Sequence, residues 1–83
     1  MKDKYGKSIA IGGYIRVNKI RSSSISSASS AAPGDAAIVY DIDTTDAILS
    51  LQVVFVSGEY YWAECENVQV IDESTYIFER LSA

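Results

Sequence analysis

Most side chains that do chemistry in proteins are missing from this chain or stand alone in it. Of 83 residues none is histidine, and Cys65 is the single cysteine. Ser-His-Asp and Cys-His nucleophile arrangements cannot be assembled, and neither can the usual zinc sites. Carboxylates remain. Asp41, Asp43 and Asp46 stand in the run DIDTTD, whose start matches the spacing of a calcium loop. The sixth position, where such a loop needs glycine, is Asp46, and the twelfth is Gln52 instead of a bidentate glutamate. These aspartates read better as turn formers and as charges that guard a strand edge. Gly6-Lys7-Ser8 resembles the close of a phosphate-binding loop, but Met1 occupies the position of its first glycine. Asp41 and Asp43 could act as an acid–base pair, yet they share an outward strand face with no concave site implied. The expectation is no catalytic centre, no metal and no cofactor.

The residues with the most binding potential are aromatic, and strand pairing decides where they point. Five runs alternate like strands: Tyr14–Ile20, Ala36–Asp43, Ala47–Val56, Glu59–Cys65 and Val68–Ile71. Short strands at close spacing with turn signals between them indicate an all-β sandwich or barrel, and a chain this short favours the barrel. In the second run Ile38, Tyr40 and Ile42 are expected to share one face, with Asp41 and Asp43 opposite. In the third, Leu49, Leu51, Val53 and Phe55 make one wholly apolar face, while Ser50 and Gln52 interrupt the other. The apolar face must be the inward one.

The turn at Ser57-Gly58 then sets the pairing of the fourth run. A two-residue loop places Glu64 opposite Leu51 and buries a carboxylate. A three-residue loop, Val56-Ser57-Gly58 with Gly58 at a left-handed bulge position, pairs Val53 with Tyr61, Leu51 with Ala63 and Leu49 with Cys65. The second register is preferred. It leaves Ser50, Gln52, Val54, Tyr60, Trp62 and Glu64 on the outer face and makes Cys65 a small core residue. Tyr60, Trp62 and Val54, with Tyr40, form an aromatic and aliphatic patch of the kind that docks partners. Glu59, Glu64 and Glu66 beside it favour a cationic partner. The competing reading is that Ile9 and Ile11 of the N-terminal arm, or Tyr76 and Phe78 of the tail, cover the patch from within the chain.

Charge divides the chain in two. Residues 1–21 carry Lys2, Lys4, Lys7, Arg16, Lys19 and Arg21 against Asp3, a local charge of +5. Residues 22–83 carry Arg80 against ten acids, which is −9 and leaves the total at −4. The basic segment either meets phosphates, with Lys4, Lys7, Arg16, Lys19 and Arg21 as contacts, or pairs with the acidic body. An acidic body repels nucleic acid, so that partner is the lesser expectation.

One domain is expected over residues 1–83, with a basic arm at 1–12, a serine-rich loop at 21–35 and a tail at 73–83. Seven of the nine residues 22–30 are serine; side chains so small and polar bury too little to offset their ordering entropy. Pro33-Gly34 turns the chain back into order, with Pro preset at one turn position and Gly free for positive φ. Ser74 could cap a short helix in the tail, or the tail could run on as a strand. No 18-residue apolar run stands anywhere, no apolar segment follows the first lysines, and one cysteine suits a reducing compartment. The expected protein is cytoplasmic.

The segments GYIRV (13–17), PGDAAIVYDI (33–42), LQVVFVSGEYYWAE (51–64) and ENVQVID (66–72) together resemble the small SH3-like barrels of Tudor and KOW type. The resemblance spans about 60 residues and implies a five-stranded barrel in which a Gly-Asp pair opens the second strand. It also implies an interaction module. Proline-recognising members use paired tryptophans and an ALYDY-like loop, and neither stands here. Methyl-lysine readers use an aromatic cage, to which Tyr40, Tyr60 and Trp62 would contribute. KOW-type relatives often touch RNA. The combined expectation is a non-enzymatic module that binds a protein partner or a second copy of itself, with a nucleic-acid accessory domain as the alternative.

Overall fold

The computed structural model describes residues 1–20, 31–45 and 50–82. They form a mostly β unit: β1 (Tyr14–Val17), β2 (Asp35–Ile42), β3 (Leu51–Phe55), β4 (Tyr60–Ala63), a 3-10 turn (Cys65–Asn67), β5 (Val68–Val70) and α1 (Glu73–Ser82). The strands make one antiparallel sheet in the order β4-β3-β2-β1-β5. Residues 21–30, which include Arg21 and most of the serine-rich stretch, and residues 46–49, which include Asp46 and Leu49, lie outside the described residues.

The β3–β4 hairpin has the register expected of a three-residue loop. Leu51 pairs with Ala63 and Val53 with Tyr61. The Phe55 N–H donates to the Glu59 carbonyl at 2.9 Å, and the Gly58 N–H donates to the Phe55 carbonyl at 2.8 Å. Gly58 has φ +90°, a left-handed conformation that costs a side-chain-bearing residue strain. Leu51, Val53, Phe55, Tyr61 and Ala63 are all buried. The expected pairing of Leu49 with Cys65 lies outside the described residues; Cys65 itself is half-buried against the core.

Three expectations change. Ile38 and Tyr40 do not share a face with Ile42. The inward residues of β2 are Ala37 and Val39, and a register shift between Val39 and Asp41 returns Ile42 to the core side, opposite Leu51. An extra residue in one strand reverses the alternation beyond it, which strict period-two reading cannot anticipate. Ser50 and Glu64 are also buried instead of outward. Ser50 precedes β3, where its carbonyl accepts from the Asp43 N–H at 2.8 Å. Glu64 follows β4, where the chain bends into the 3-10 turn and the Asn67 N–H donates to its carbonyl. Beyond the ends of a ladder the pleat no longer dictates direction.

The tail is a helix. Its N-cap is Asp72, not Ser74: the Asp72 carboxylate accepts from the Thr75 N–H at 2.8 Å and from the Ser74 hydroxyl at 3.2 Å. Hydrogen bonds from the Thr75 hydroxyl, the Thr75 N–H and the Ser74 hydroxyl hold its pKa below the ordinary aspartate range. Tyr76 is the buried residue of α1, and its ring lies 4.8 Å from that of Tyr14, centroid to centroid. Tyr14 alternates with buried Ile15, so α1 rests on the side of the sheet opposite the core. Arg16, two residues on, pairs with Glu79 and donates to the Gly34 carbonyl at 2.7 Å.

Replacing Gly58 with valine should destabilise the fold by about 1–2 kcal/mol through backbone strain. No atom outside the adjacent residues lies within 4 Å of an added Cβ, so the cost is conformational. A urea titration should show a lower midpoint with an unchanged slope.

Candidate functional site

The outer side of the sheet is built from the residues that alternate with the core. Val54 pairs with Tyr60, Gln52 with Trp62, and Ile38 with Val54 across β2 and β3. Tyr40 and Tyr60 meet edge to face, with centroids 5.4 Å apart and planes at 81°. They are 55% and 56% exposed, while Val54 and Trp62 are half-buried. The sheet thus brings Tyr40, Val54, Tyr60 and Trp62 to one face from three strands. The β2 bulge follows Val39 and places Tyr40 where its ring reaches Tyr60. Asp41 and Glu66 are exposed and Glu59 half-buried; buried Glu64 does not contribute a surface charge.

Cover from within the chain is partial. α1 covers Tyr14 on the β1 side of the outer face, through Tyr76, and leaves Tyr40 and Tyr60 open. Phe78, expected as a covering residue, is 71% exposed. Neither isoleucine of the N-terminal arm is a cover for the aromatic patch. Ile9 enters the core with Ile15, Val17 and Val39 instead, and Ile11 is 63% exposed. Ile9 with Ser8, Ala10, Gly13, Tyr14, Ile15, Val39 and Val70 lines a largely apolar recess of about 90 Å³.

The arm is a folded loop, and Asp3 organises it. Asp3 is buried; its Oδ1 accepts from the Tyr5 and Lys7 N–H groups at 2.8 Å each, and its Oδ2 from the Val70 N–H at 2.7 Å. The Lys4 N–H donates to the Val68 carbonyl at 3.2 Å, so the arm closes the edge of β5. Burial alone would raise the Asp3 pKa. The N–H groups of Val70, Lys7 and Tyr5, with the charge of Lys7, outweigh it and hold the carboxyl below its ordinary range. Lys2, Lys4 and Lys7 remain exposed and make no ion pair among the described residues; the Lys4 ammonium lies 5.2 Å from the Tyr5 ring centroid. Lys19 is exposed too. Arg16 leaves the expected basic set because Glu79 and the Gly34 carbonyl occupy its guanidinium. Arg21 lies outside the described residues.

The described aspartates of the DIDTTD run make local hydrogen bonds. Asp43 Oδ1 accepts from the Thr45 N–H and hydroxyl at 2.9 and 2.6 Å, and Asp41 Oδ1 from the Ile42 N–H at 2.9 Å. Asp43 thus shapes the turn that follows it, while Asp41 stands near the end of β2 and accepts from its own neighbour. Among the described residues no three His, Cys, Asp or Glu side chains converge on a metal position, and no helix is long and apolar enough to cross a membrane.

An aspartate with a lowered folded pKa contributes stability above its unfolded pKa, and that stability disappears as pH falls through the folded value. Acid titration below about pH 4 should therefore release the arm. Asp3→Asn keeps an acceptor for Tyr5 and Lys7 but turns an amide donor toward the Val70 N–H. It should cost about 1–3 kcal/mol and flatten the acid limb of the stability curve, read by amide exchange at Val70. Comparison with protein-family models, curated proteins and solved structures finds no match for this chain.

Proposed function

We propose that this chain is a non-enzymatic interaction module of SH3-like barrel type, whose outer aromatic face docks a protein partner or a second copy. The barrel reading rests on burial. Val17, Leu51, Val53 and Val68 are fully buried on the inner side, while α1 lies on the outer side. A sheet that curls on itself buries one face largely with its own strands, to which Ile9 of the arm adds here. The strand order and the 3-10 turn before β5 fit that closure.

The function rests on one observation above the rest: Tyr40 and Tyr60 are more than half exposed while paired with each other. Each ring carries a large apolar area and a polar handle, so desolvation on docking is favourable and directional. Asp41, exposed and next to Tyr40 in β2, favours a partner that carries cationic side chains. Tyr60→Ala combined with Trp62→Ala should keep the β-rich circular dichroism spectrum and lose binding to interaction partners, or the self-association, by at least about tenfold. Unchanged binding and oligomeric state would sink this reading.

A second reading rests on the arm. Its single acid is turned inward onto three N–H groups, so the loop presents Lys2, Lys4, Lys7 and the Tyr5 ring. Lysines beside an open aromatic ring suit a single-stranded nucleic acid, with stacking on Tyr5. Three phosphate contacts predict a slope of about −2 for log affinity against log salt with a labelled oligonucleotide. Tyr5→Ala should weaken binding without changing that slope; no binding at low salt would remove the reading.

A further inference from the structure

α1 is rolled with its apolar side toward solvent. Ile77, Phe78 and Leu81 are 45%, 71% and 80% exposed, while the sheet takes Tyr76 and Glu79. An amphipathic helix normally turns its apolar stripe inward. Here three contacts prevent it. Tyr76 against Tyr14 and Glu79 against Arg16 fix the roll, and the Asp72 cap fixes the first turn. At about 100° per residue, Ile77 and Leu81 fall on one flank of α1, with Phe78 beyond them.

The border of that flank opposite Phe78 carries opposite charges at its two ends. Glu73 lies in the first turn and Arg80 in the last, and both are exposed. Seven residues is close to two helical turns, so Glu73, Ile77 and Arg80 form one stripe. When two copies of α1 pack antiparallel, Glu73 of each lies along Arg80 of the other, with the Ile77 side chains between them. That match occurs twice across a two-fold axis, as an isologous interface requires. A parallel arrangement sets like charges together.

We infer that α1 is a self-association surface on which a second copy of this chain docks antiparallel. Ile77 and Leu81 form its apolar centre, with Phe78 along one flank and Glu73 and Arg80 along the other. The inference is independent of the outer aromatic face, which involves β2, β3 and β4. A ten-residue helix provides less than the roughly 800 Å² per partner of a standard interface. The dimer is therefore weak and depends on concentration.

Sedimentation equilibrium over a range of concentrations tests it. The full chain should show a monomer–dimer equilibrium. Phe78→Glu with Leu81→Glu should leave only monomer, with the circular dichroism spectrum unchanged. Glu73→Arg alone and Arg80→Glu alone should each weaken the dimer by about tenfold, because each sets like charges together. Mixing these two single variants restores both opposite-charge contacts, so a heterodimer of near-parental affinity should form. A strictly monomeric full chain overturns the inference. So does a dimer that survives Phe78→Glu with Leu81→Glu, and loss of such a dimer with Tyr60→Ala and Trp62→Ala would assign it to the sheet face. A mixture of the single variants no stronger than either alone overturns the antiparallel pairing.

Discussion

The parity of the β3–β4 hairpin decides which side chains of this protein meet water. Successive strand residues point to opposite sides, so a one-residue slip exchanges the two faces completely. With Val53 opposite Tyr61, the hairpin sends Leu51, Val53, Phe55, Tyr61 and Ala63 inward. The same register necessarily sends Val54, Tyr60 and Trp62 outward. Core and candidate site are therefore two consequences of one choice. The three-residue turn ending at Gly58 makes that choice, because it supplies the odd residue that the apolar pattern demands.

The first residues show how a local charge can have an entirely structural role. Asp3 lies among lysines and looks like a minor correction to a basic arm. Its carboxylate instead holds a tight loop together and satisfies a donor on β5, an edge that would otherwise present N–H groups to other chains. The arm is thus part of the domain, and Ile9 completes its core. This also changes the surface: the one acid of the loop is withdrawn, and the lysines remain outside. The segment's positive character is stronger at the surface than its net charge suggests.

α1 shows the limit of judging a helix by its own periodicity. Two specific contacts, Tyr14 with Tyr76 and Arg16 with Glu79, select an orientation that the apolar residues Ile77, Phe78 and Leu81 would not select alone. A helix packed by one aromatic and one ion pair leaves its apolar flank open. Among the described residues the outer side therefore exposes apolar side chains both on the sheet and on the helix. Small domains bury a limited fraction of their surface, so such regions are where association contributes most.

Much of the fold was legible in the residues themselves. The five strands, the three-residue turn and the inward set of β3 follow from alternation and from Gly58, whereas Glu64, expected outside in this register, is buried beyond the end of β4. Tyr60 and Trp62 followed with them, since their direction is the complement of the core. Other features required the assembled chain. The β2 bulge reversed the alternation after Val39 and brought Tyr40 to Tyr60, a contact between strands distant in sequence. The direction of Asp3 depended on Val70, 67 residues away. The position of Ile9 and the roll of α1 likewise depended on partners that no local pattern specifies. Periodicity reports which residues share a side of an element; only packing decides what that side will meet.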